Sequence, residues 1–258
     1  MPARGLAIET SSRRGEVAAM EGSAAVAAAS FASGLQHASQ LVPMLQRVMR
    51  EAGWGELSTA GVEAVYVSVG PGSFTGLRVA VTLAKGLWLA RQLAGGPPLG
   101  VVAVPTLRAI VENVPGEAGV EAAVVLDAKR GQVFTASYRW EGASAGGMNG
   151  ERSPEHGGWR QVRPARLDTL ADVVAEARSR GVRLKLLGEG LRYHTPPEPG
   201  EADLLDEALW WPRAVSVGRL GYAMAGRCQW AEAERLEPLY VRLPEAEEKW
   251  ARQQDGGN

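Results

Sequence analysis

Short apolar runs alternate with helical repeats along the first hundred residues. A short apolar or alternating run predicts a strand, and apolar residues that recur every three or four positions predict a helix. Predicted strands cover residues 5–10, 16–20, 24–30, 62–69 and 99–104, and predicted helices cover residues 36–53 and 75–94. The order of these elements favours a hairpin followed by a strand–helix crossover of a parallel sheet.

The same pattern restarts near residue 120. The further predictions are strands over 120–127, 132–138 and 183–187 and helices over 167–181 and 214–230. Asp127 follows its strand as Glu9 follows the first strand of the chain. Two similar halves therefore meet near Pro105, which predicts an α/β chain built from a duplicated unit.

Two segments carry no such pattern. Residues 141–158 are rich in Gly, Ser and Pro, which is typical of a loop. The last fifteen residues are polar and predict a frayed terminus.

Both helices of the first half carry more apolar or small surface than one sheet needs. In the first helix, Leu41, Leu45 and Val48 share a face, and Met44 is among the residues that widen the apolar stripe to about 160°. In the second helix, small residues recur every four positions, which permits close approach of another helix. These small residues are Gly76, Ala80 and Ala84.

Composition narrows the class of protein. The 258 residues are 45% hydrophobic and 22% charged with a net charge of −1, so no overall basic field points to nucleic acid. A single cysteine, Cys228, excludes an intramolecular disulfide and a thiolate zinc cluster, which suits a reducing compartment. Neither a signal peptide nor an apolar run of membrane-spanning length is apparent, so we expect a cytoplasmic protein.

A glycine-rich segment, SVGPGSFTGLRVAVTLAKGLW, runs from Ser68 to Trp88 and joins a predicted strand to a predicted helix. Its glycines permit close backbone approach, and Ser73 or Thr75 can cap the helix. Free N–H groups at the helix start would hold an anion, with Arg78 one turn further on. No Gly-Lys-Ser or Gly-Lys-Thr follows, however, so the Walker pattern is missing. Two readings stay open: a tight structural elbow and a phosphate cradle.

Polar residues after the first strand offer a second candidate. Glu9, Thr10 and Ser11 could hold a magnesium-bound water or a phosphate oxygen, and they could equally be a solvated or capping turn. The same alternatives apply to Asp127. His37 has Leu41, not a second histidine, four residues later, so a metal site is not expected. A Gly-x-Ser-x-Gly nucleophile motif is also lacking.

Several segments together resemble one family. The elbow GPGSFTGLRVAVTLAKGL, with AIETSS and QHASQLVPML before it and VVLDAKRGQVF, LLGEG and EPLYVR after it, is similar to the bacterial TsaB (YeaZ) proteins from Ala7 to Arg242. The resemblance implies two ribonuclease-H-like halves of the acetate kinase, Hsp70 and actin superfamily. It also implies an N-terminal subdomain over 1–104, a smaller subdomain over 105–230 and a C-terminal segment over 231–258.

The resemblance further implies a non-catalytic partner of TsaD, the subunit that transfers a threonylcarbamoyl group to the adenosine beside the tRNA anticodon. TsaE, an ATPase, completes that machinery. The chain would contact tRNA indirectly, through the complex. A homodimer of the chain is an alternative when TsaD is absent. The implied TsaD-binding residues are Leu41, Met44, Leu45, Val48, Gly76, Ala80 and Ala84.

The resemblance also bears on nucleotides. ATP or ADP at the subunit junction would lie near Glu9, Thr10, Ser11, Gly72, Ser73, Thr75 and Asp127. Family members often have Asp where this chain has Glu9, so tight nucleotide or magnesium binding by this chain alone is not expected. Two alternatives remain: an independent ATPase or kinase on the same fold, and a metalloprotease, which the single His37 disfavours.

Overall fold

The computed structural model describes residues 1–31, 37–55, 61–142 and 158–240, and within them two five-stranded sheets are flanked by helices. The strands are β1 (Arg4–Glu9), β2 (Gly15–Glu21), β3 (Ala24–Phe31), β4 (Ala64–Gly70), β5 (Gly100–Pro105), β6 (Glu121–Asp127), β7 (Val133–Glu141), β8 (Gly158–Asp168), β9 (Leu184–Leu187) and β10 (Ala202–Leu204). The helices are α1 (His37–Glu51), α2 (Phe74–Leu93), α3 (Thr106–Val111), α4 (Leu170–Ser179) and α5 (Ala214–Gly226).

The two sheets have the same topology. Their strand orders are β3-β2-β1-β4-β5 and β10-β9-β6-β7-β8. In each sheet the central strand, β1 or β6, pairs antiparallel with the strand that follows it and parallel with β4 or β9. The duplication and the mixed α/β class predicted from the sequence are therefore confirmed.

Buried apolar side chains fill the space between each sheet and the helices that cover it. One face of the first sheet packs against α1 and α2 through residues such as Ile8, Leu45 and Ala84. The other face packs against α5. Gly218 and Gly221 allow this contact, because a Cβ at either position would overlap the side chain of Met20 or Tyr66. The second sheet has its own core with α3 and α4.

The position of α5 bears on the predicted boundaries between subdomains. This helix lies in the range 105–230, which was predicted to form the second subdomain, yet it packs on the first sheet. The limit at residue 230 therefore does not separate the two packing units. The predicted loop over 141–158 and the predicted frayed end lie almost wholly outside the described residues. Among the described helices, none combines the length and apolar character that a membrane crossing requires.

Candidate functional site

The glycine elbow, residues 70–76, joins β4 to α2 and fits tightly against the turn that follows β1. A Cβ at Gly72 would overlap the carbonyl oxygen of Ser11, and a Cβ at Gly76 would overlap that of Thr10. The Thr10 hydroxyl donates to the Gly76 carbonyl at 2.7 Å. The Ser73 hydroxyl accepts from the Gly76 N–H at 3.3 Å and caps α2, as predicted. These glycines serve close packing within the chain, which favours the structural-elbow reading.

Glu9 ends β1 and is fully buried. Its Oε1 accepts hydrogen bonds from the backbone N–H and the hydroxyl of Ser11, both at 2.5 Å. Its Oε2 lies beside the Ser68 hydroxyl, but neither atom makes a well-formed hydrogen bond to another described residue. Burial raises the pKa of the Glu9 carboxyl to about 7, although the hydrogen bonds from Ser11 and the nearby Ser68 hydroxyl act to lower it.

Asp127 ends β6, at the position in the second sheet that corresponds to Glu9. Its carboxylate accepts from the Lys129 ammonium at 2.6 Å and from the Lys129 backbone N–H at 3.0 Å, and His194 Nε2 lies 3.3 Å away. Burial acts to raise the pKa of Asp127, but the hydrogen bonds and charge of Lys129 outweigh it and hold the pKa below its ordinary value.

The turn after Asp127 adopts an uncommon backbone conformation. Lys129 and Arg130 have φ angles of 65° and 55°, in the left-handed region that non-glycine residues seldom adopt. The turn is closed by hydrogen bonds between Ala128 and Gln132 and between Gln132 and Lys129. Such strain persists only where the surroundings hold it, and here it directs the Lys129 side chain onto the Asp127 carboxylate.

A cleft of about 630 Å³ lies between the two halves, where the elbow faces the end of β6. It brings together four of the seven residues predicted to lie near a nucleotide, namely Ser11, Gly72, Ser73 and Asp127. Glu9, Thr10 and Thr75 are not among the lining residues. Glu9 is therefore poorly placed to coordinate magnesium in the cleft, whereas Asp127 reaches it.

Sequence reasoning missed much of the cleft wall. Glu189, the glutamate of the LLGEG segment, lies just after β9, and its carboxylate accepts from the Asp127 backbone N–H at 3.4 Å. Burial raises the pKa of Glu189. Arg13, Tyr193 and Trp211 also line the cleft. The Gly-Glu-Gly and Trp-Trp-Pro segments were visible in the sequence, but no periodicity indicated that they face the elbow.

A C-terminal strap, residues 231–240, crosses the first half toward the cleft. The Ala231 N–H donates to the Val101 carbonyl at 2.8 Å, and the Leu239 N–H donates to the Val69 carbonyl at 2.6 Å. Gly70 has a φ of 116°, and a Cβ there would lie 2.9 Å from the Leu239 carbonyl oxygen. The strap ends at Tyr240, which lines the cleft. It thus ties the elbow to the end of the described chain.

The predicted partner-binding residues lie mostly in the protein's own core. Leu41, Leu45, Val48, Ala80 and Ala84 are each at most 1% exposed. Because their side chains already pack on the first sheet, they offer no exposed surface to a partner, and that part of the prediction is corrected.

Gly76 and Met44, the other two predicted partner-binding residues, differ in exposure. Gly76 is buried against the Thr10 carbonyl, so it too is corrected. Met44 is partly exposed and remains available. As for metal binding, no group of three or more candidate metal-ligating side chains lies together among the described residues.

Comparison with known proteins places the chain among relatives of one kind. A family model described as "TsaD: tRNA N6-adenosine threonylcarbamoyltransferase" matches residues 32–152. A Bacillus subtilis (strain 168) protein named "tRNA threonylcarbamoyladenosine biosynthesis protein TsaB" is 26% identical over 222 residues, 84% of this chain and 85% of the relative. An Escherichia coli (strain K12) protein of the same name is 25% identical over 210 residues, 80% of this chain and 81% of the relative.

Solved structures agree with these relatives. A Pseudomonas aeruginosa structure described as an uncharacterized protein with similarity to peptidase YeaZ has a TM-score of 0.72 and 25% identity, covering 93% of this chain and all of that one. Another, YeaZ from the same organism, has a TM-score of 0.68 and 25% identity, covering 92% of this chain and 99% of that one. In sequence and in fold the chain is therefore similar to the TsaB (YeaZ) proteins, and the resemblance that its motifs predict is confirmed.

Proposed function

We propose that this chain is an accessory subunit in the biosynthesis of threonylcarbamoyladenosine in tRNA, and that it acts by docking TsaD. The names of the curated relatives support the pathway. The observation that carries the docking role is the outer face of α2, which lies opposite the buried ridge and has no charged side chain along its centre.

The docking face is defined by the fully exposed residues along that outer side of α2. They are Thr75, Thr82, Gly86, Leu89, Ala90 and Leu93. Leu89 is 51% exposed and Leu93 is 80% exposed, and because they are four residues apart they lie on the same side of the helix. Arg78 and Lys85 lie seven residues apart and so border this face along one edge. A largely uncharged face with charge at its edge fits a protein interface, whose centre is depleted of charged residues and whose rim is polar.

Two further features suit this face to a helical partner. Thr82, Gly86 and Ala90 are small and recur every four positions, so a second helix can approach closely. The neighbouring helix α1 contacts α2 and adds Val42, which is 36% exposed, together with the partly exposed Met44. The predicted spacing of small residues thus recurs on the opposite side of the helix, which is the surface that we propose for TsaD.

The burial of the Glu9 carboxyl favours the accessory role over the alternative of an independent ATPase. An ATPase of this fold would need a carboxylate that reaches the cleft from the end of β1. Here the carboxyl at that place is buried and held by Ser11. Independent nucleotide hydrolysis would therefore have to rest on Asp127 and Glu189, the carboxylates among the described residues that line the cleft. TsaE and tRNA are expected to join through the complex with TsaD.

The test is co-elution of the purified chain with TsaD in size-exclusion chromatography with light scattering. We expect a heterodimer with the unchanged chain and its loss with Gly86→Arg, because a long charged side chain would hold the helices apart. Gly86 has no atom within 4 Å of the position of a Cβ, so the substitution fits the isolated chain.

The matched control is Ala175→Arg on α4, which adds the same side chain to an exposed helical position of the second half. It should leave co-elution unchanged. TsaD should also modify tRNA faster with the unchanged chain than with the Gly86→Arg variant. Docking by the Gly86→Arg variant as tight as by the unchanged chain would show that α2 is not the interface, and no complex at all would refute the proposed function.

A further inference from the structure

The mouth of the cleft is lined by exposed aromatic rings from both halves of the chain. Phe74 at the start of α2 is 36% exposed, Tyr240 at the end of the strap is 37% exposed, and Tyr193 after β9 is 48% exposed. Trp211 is half-buried on the same wall. Large apolar side chains are seldom left exposed together without a ligand, so this convergence calls for an explanation.

A cationic side chain lies close to each of these rings. The Arg78 guanidinium lies 3.7 Å from the Phe74 ring centroid, and its Nε donates to the Tyr240 hydroxyl at 2.8 Å. The Lys129 ammonium lies 5.4 Å from the Tyr193 ring. These contacts hold the rings and the charges in fixed relative positions.

Two cations lie near Trp211. The guanidinium of Arg14 lies 5.6 Å from its ring centroid, and that of Arg192 lies 5.3 Å from it. The mouth is therefore an alternation of flat rings and positive groups. The chain as a whole has a net charge of −1, so this concentration of cations is local.

Three of the cations form no salt bridge. Within the described part of the chain, Arg13, Arg14 and Arg78 make no ion pair within 4.0 Å, although all three are exposed. Of the carboxylates nearby, Asp127 pairs with Lys129 and Glu207 pairs with Arg192, whereas Glu189 lines the cleft and its charge acts on Arg13 without forming a salt bridge. An anion that approaches the mouth therefore meets unpaired guanidinium groups beside exposed rings.

We infer that the mouth of the cleft binds single-stranded RNA, with an unpaired base stacked on the rim rings and its phosphates on Arg13 and Arg78. Alternating rings and cations on an open groove are suited to this ligand, because every base has a flat face and every nucleotide a phosphate. The inference rests on the proposed function for the choice of RNA, and it adds a direct contact between this chain and the tRNA that joins through the complex.

A free mononucleotide fits the same features less well. Its phosphates would need the elbow backbone, but the elbow glycines are filled by the turn that follows β1. The rings also lie on the exposed rim and not on the floor, where they suit a chain that passes over the mouth. RNA and a mononucleotide share their chemistry, so the experiment must separate them.

The test is fluorescence anisotropy of a short labelled RNA hairpin with a single-stranded loop, titrated with the chain in the absence of TsaD. We expect the hairpin to bind more tightly than a blunt duplex of the same length, and AMP to compete far less well than unlabelled hairpin. Tyr193→Ala should weaken binding about fivefold or more, and Tyr193→Phe should retain it, because the ring supplies the stacking.

Arg13→Ala should lower the slope of log affinity against log salt by about one, as for the loss of one phosphate contact. The matched control is Arg47→Ala, which removes an exposed cation from α1 and should leave the slope unchanged. Absence of RNA binding, equal competition by AMP, or equal effects of the Arg13 and Arg47 variants would each overturn the inference. Co-elution of Tyr193→Ala with TsaD, measured separately, keeps this outcome distinct from the docking test.

Discussion

Replacement of the buried Glu9 by glutamine should make the protein more stable, and increasingly so as the pH rises. The native carboxyl has a pKa of about 7, whereas in the unfolded chain its value is 4.5. Between these two values the native state holds a proton that the unfolded state has released, so the stability contributed by Glu9 falls as the pH rises through this window. Above the native pKa both states are ionised and the loss is complete.

The size of the effect follows from the two pKa values. Proton linkage gives a loss of about 2.5 kcal/mol between pH 5 and pH 8, which is the part of the cost of ionising the buried carboxyl that falls within this pH range. In Glu9→Gln this loss is absent. The amide oxygen can still accept from Ser11, and the amide N–H₂ can donate to the Ser68 hydroxyl, which has no well-formed partner among the described residues.

The assay is urea unfolding of the unchanged chain and of Glu9→Gln at several values between pH 5 and pH 8. The difference in unfolding free energy between the two should grow by about 2.5 kcal/mol over this range in favour of the glutamine variant. Glu51→Gln, at an exposed carboxylate on α1, controls for the loss of one acidic group. Parallel pH profiles for the unchanged chain and Glu9→Gln would refute the reasoning, because the carboxyl would then titrate alike in both states.

Two further substitutions test the packing. Gly76→Ala should destabilise the chain by about 2 kcal/mol or more in urea unfolding, since its Cβ would overlap the Thr10 carbonyl. Gly86→Ala on the same helix should instead stabilise the chain by about 1 kcal/mol. Equal effects would contradict the close packing of the elbow on the turn that follows β1. Arg180→Met should cost about 1.5–3 kcal/mol by the same measurement, because Glu121 is fully buried and would keep, among the described residues, only Arg139 as an ion-pair partner. No change in stability would mean that the ion pair with Arg139 is enough to hold the buried carboxylate.

The order of the long elements could be predicted from the sequence, because their periodicity is strong. The predicted helices over 36–53 and 75–94 correspond to α1 and α2 within two residues at each end. The missed elements have physical reasons. The helix α3 has only six residues, too few for a repeat, and β8 is an edge strand rich in arginine, whose charges conceal its alternation.

The orientation of the packing surfaces could not be predicted. A repeat of small residues every four positions shows that something approaches α2 closely, but it does not show what. Gly76, Ala80 and Ala84 face the chain's own sheet and the turn that follows β1, while Thr82, Gly86 and Ala90 form a second such repeat facing outward. Only the register of the helix on the sheet decides between them, and that register depends on contacts distant in sequence.

The residues that line the cleft could likewise be predicted only in part from the sequence. Ser11, Gly72, Ser73 and Asp127 could be placed at one site because each follows a strand at the same end of its sheet. Tyr193, Trp211 and Tyr240 could not, because they lie in irregular segments whose path is set by tertiary contacts. The burial of Glu9, which removes it from the cleft, likewise depends on how tightly the elbow closes over it.

The helix α2 spans 20 residues, about 30 Å, from Phe74 at the mouth of the cleft to Leu93 at the far end of the docking face. A continuous helix has no hinge, so the mouth of the cleft and the docking face move together when α2 rotates or shifts. A subunit seated near Leu93 would thereby fix the direction in which the mouth points. The angle at which RNA enters an assembly would then be determined by helix phase and length, and the insertion of a single residue within α2 would rotate one surface against the other by about 100°.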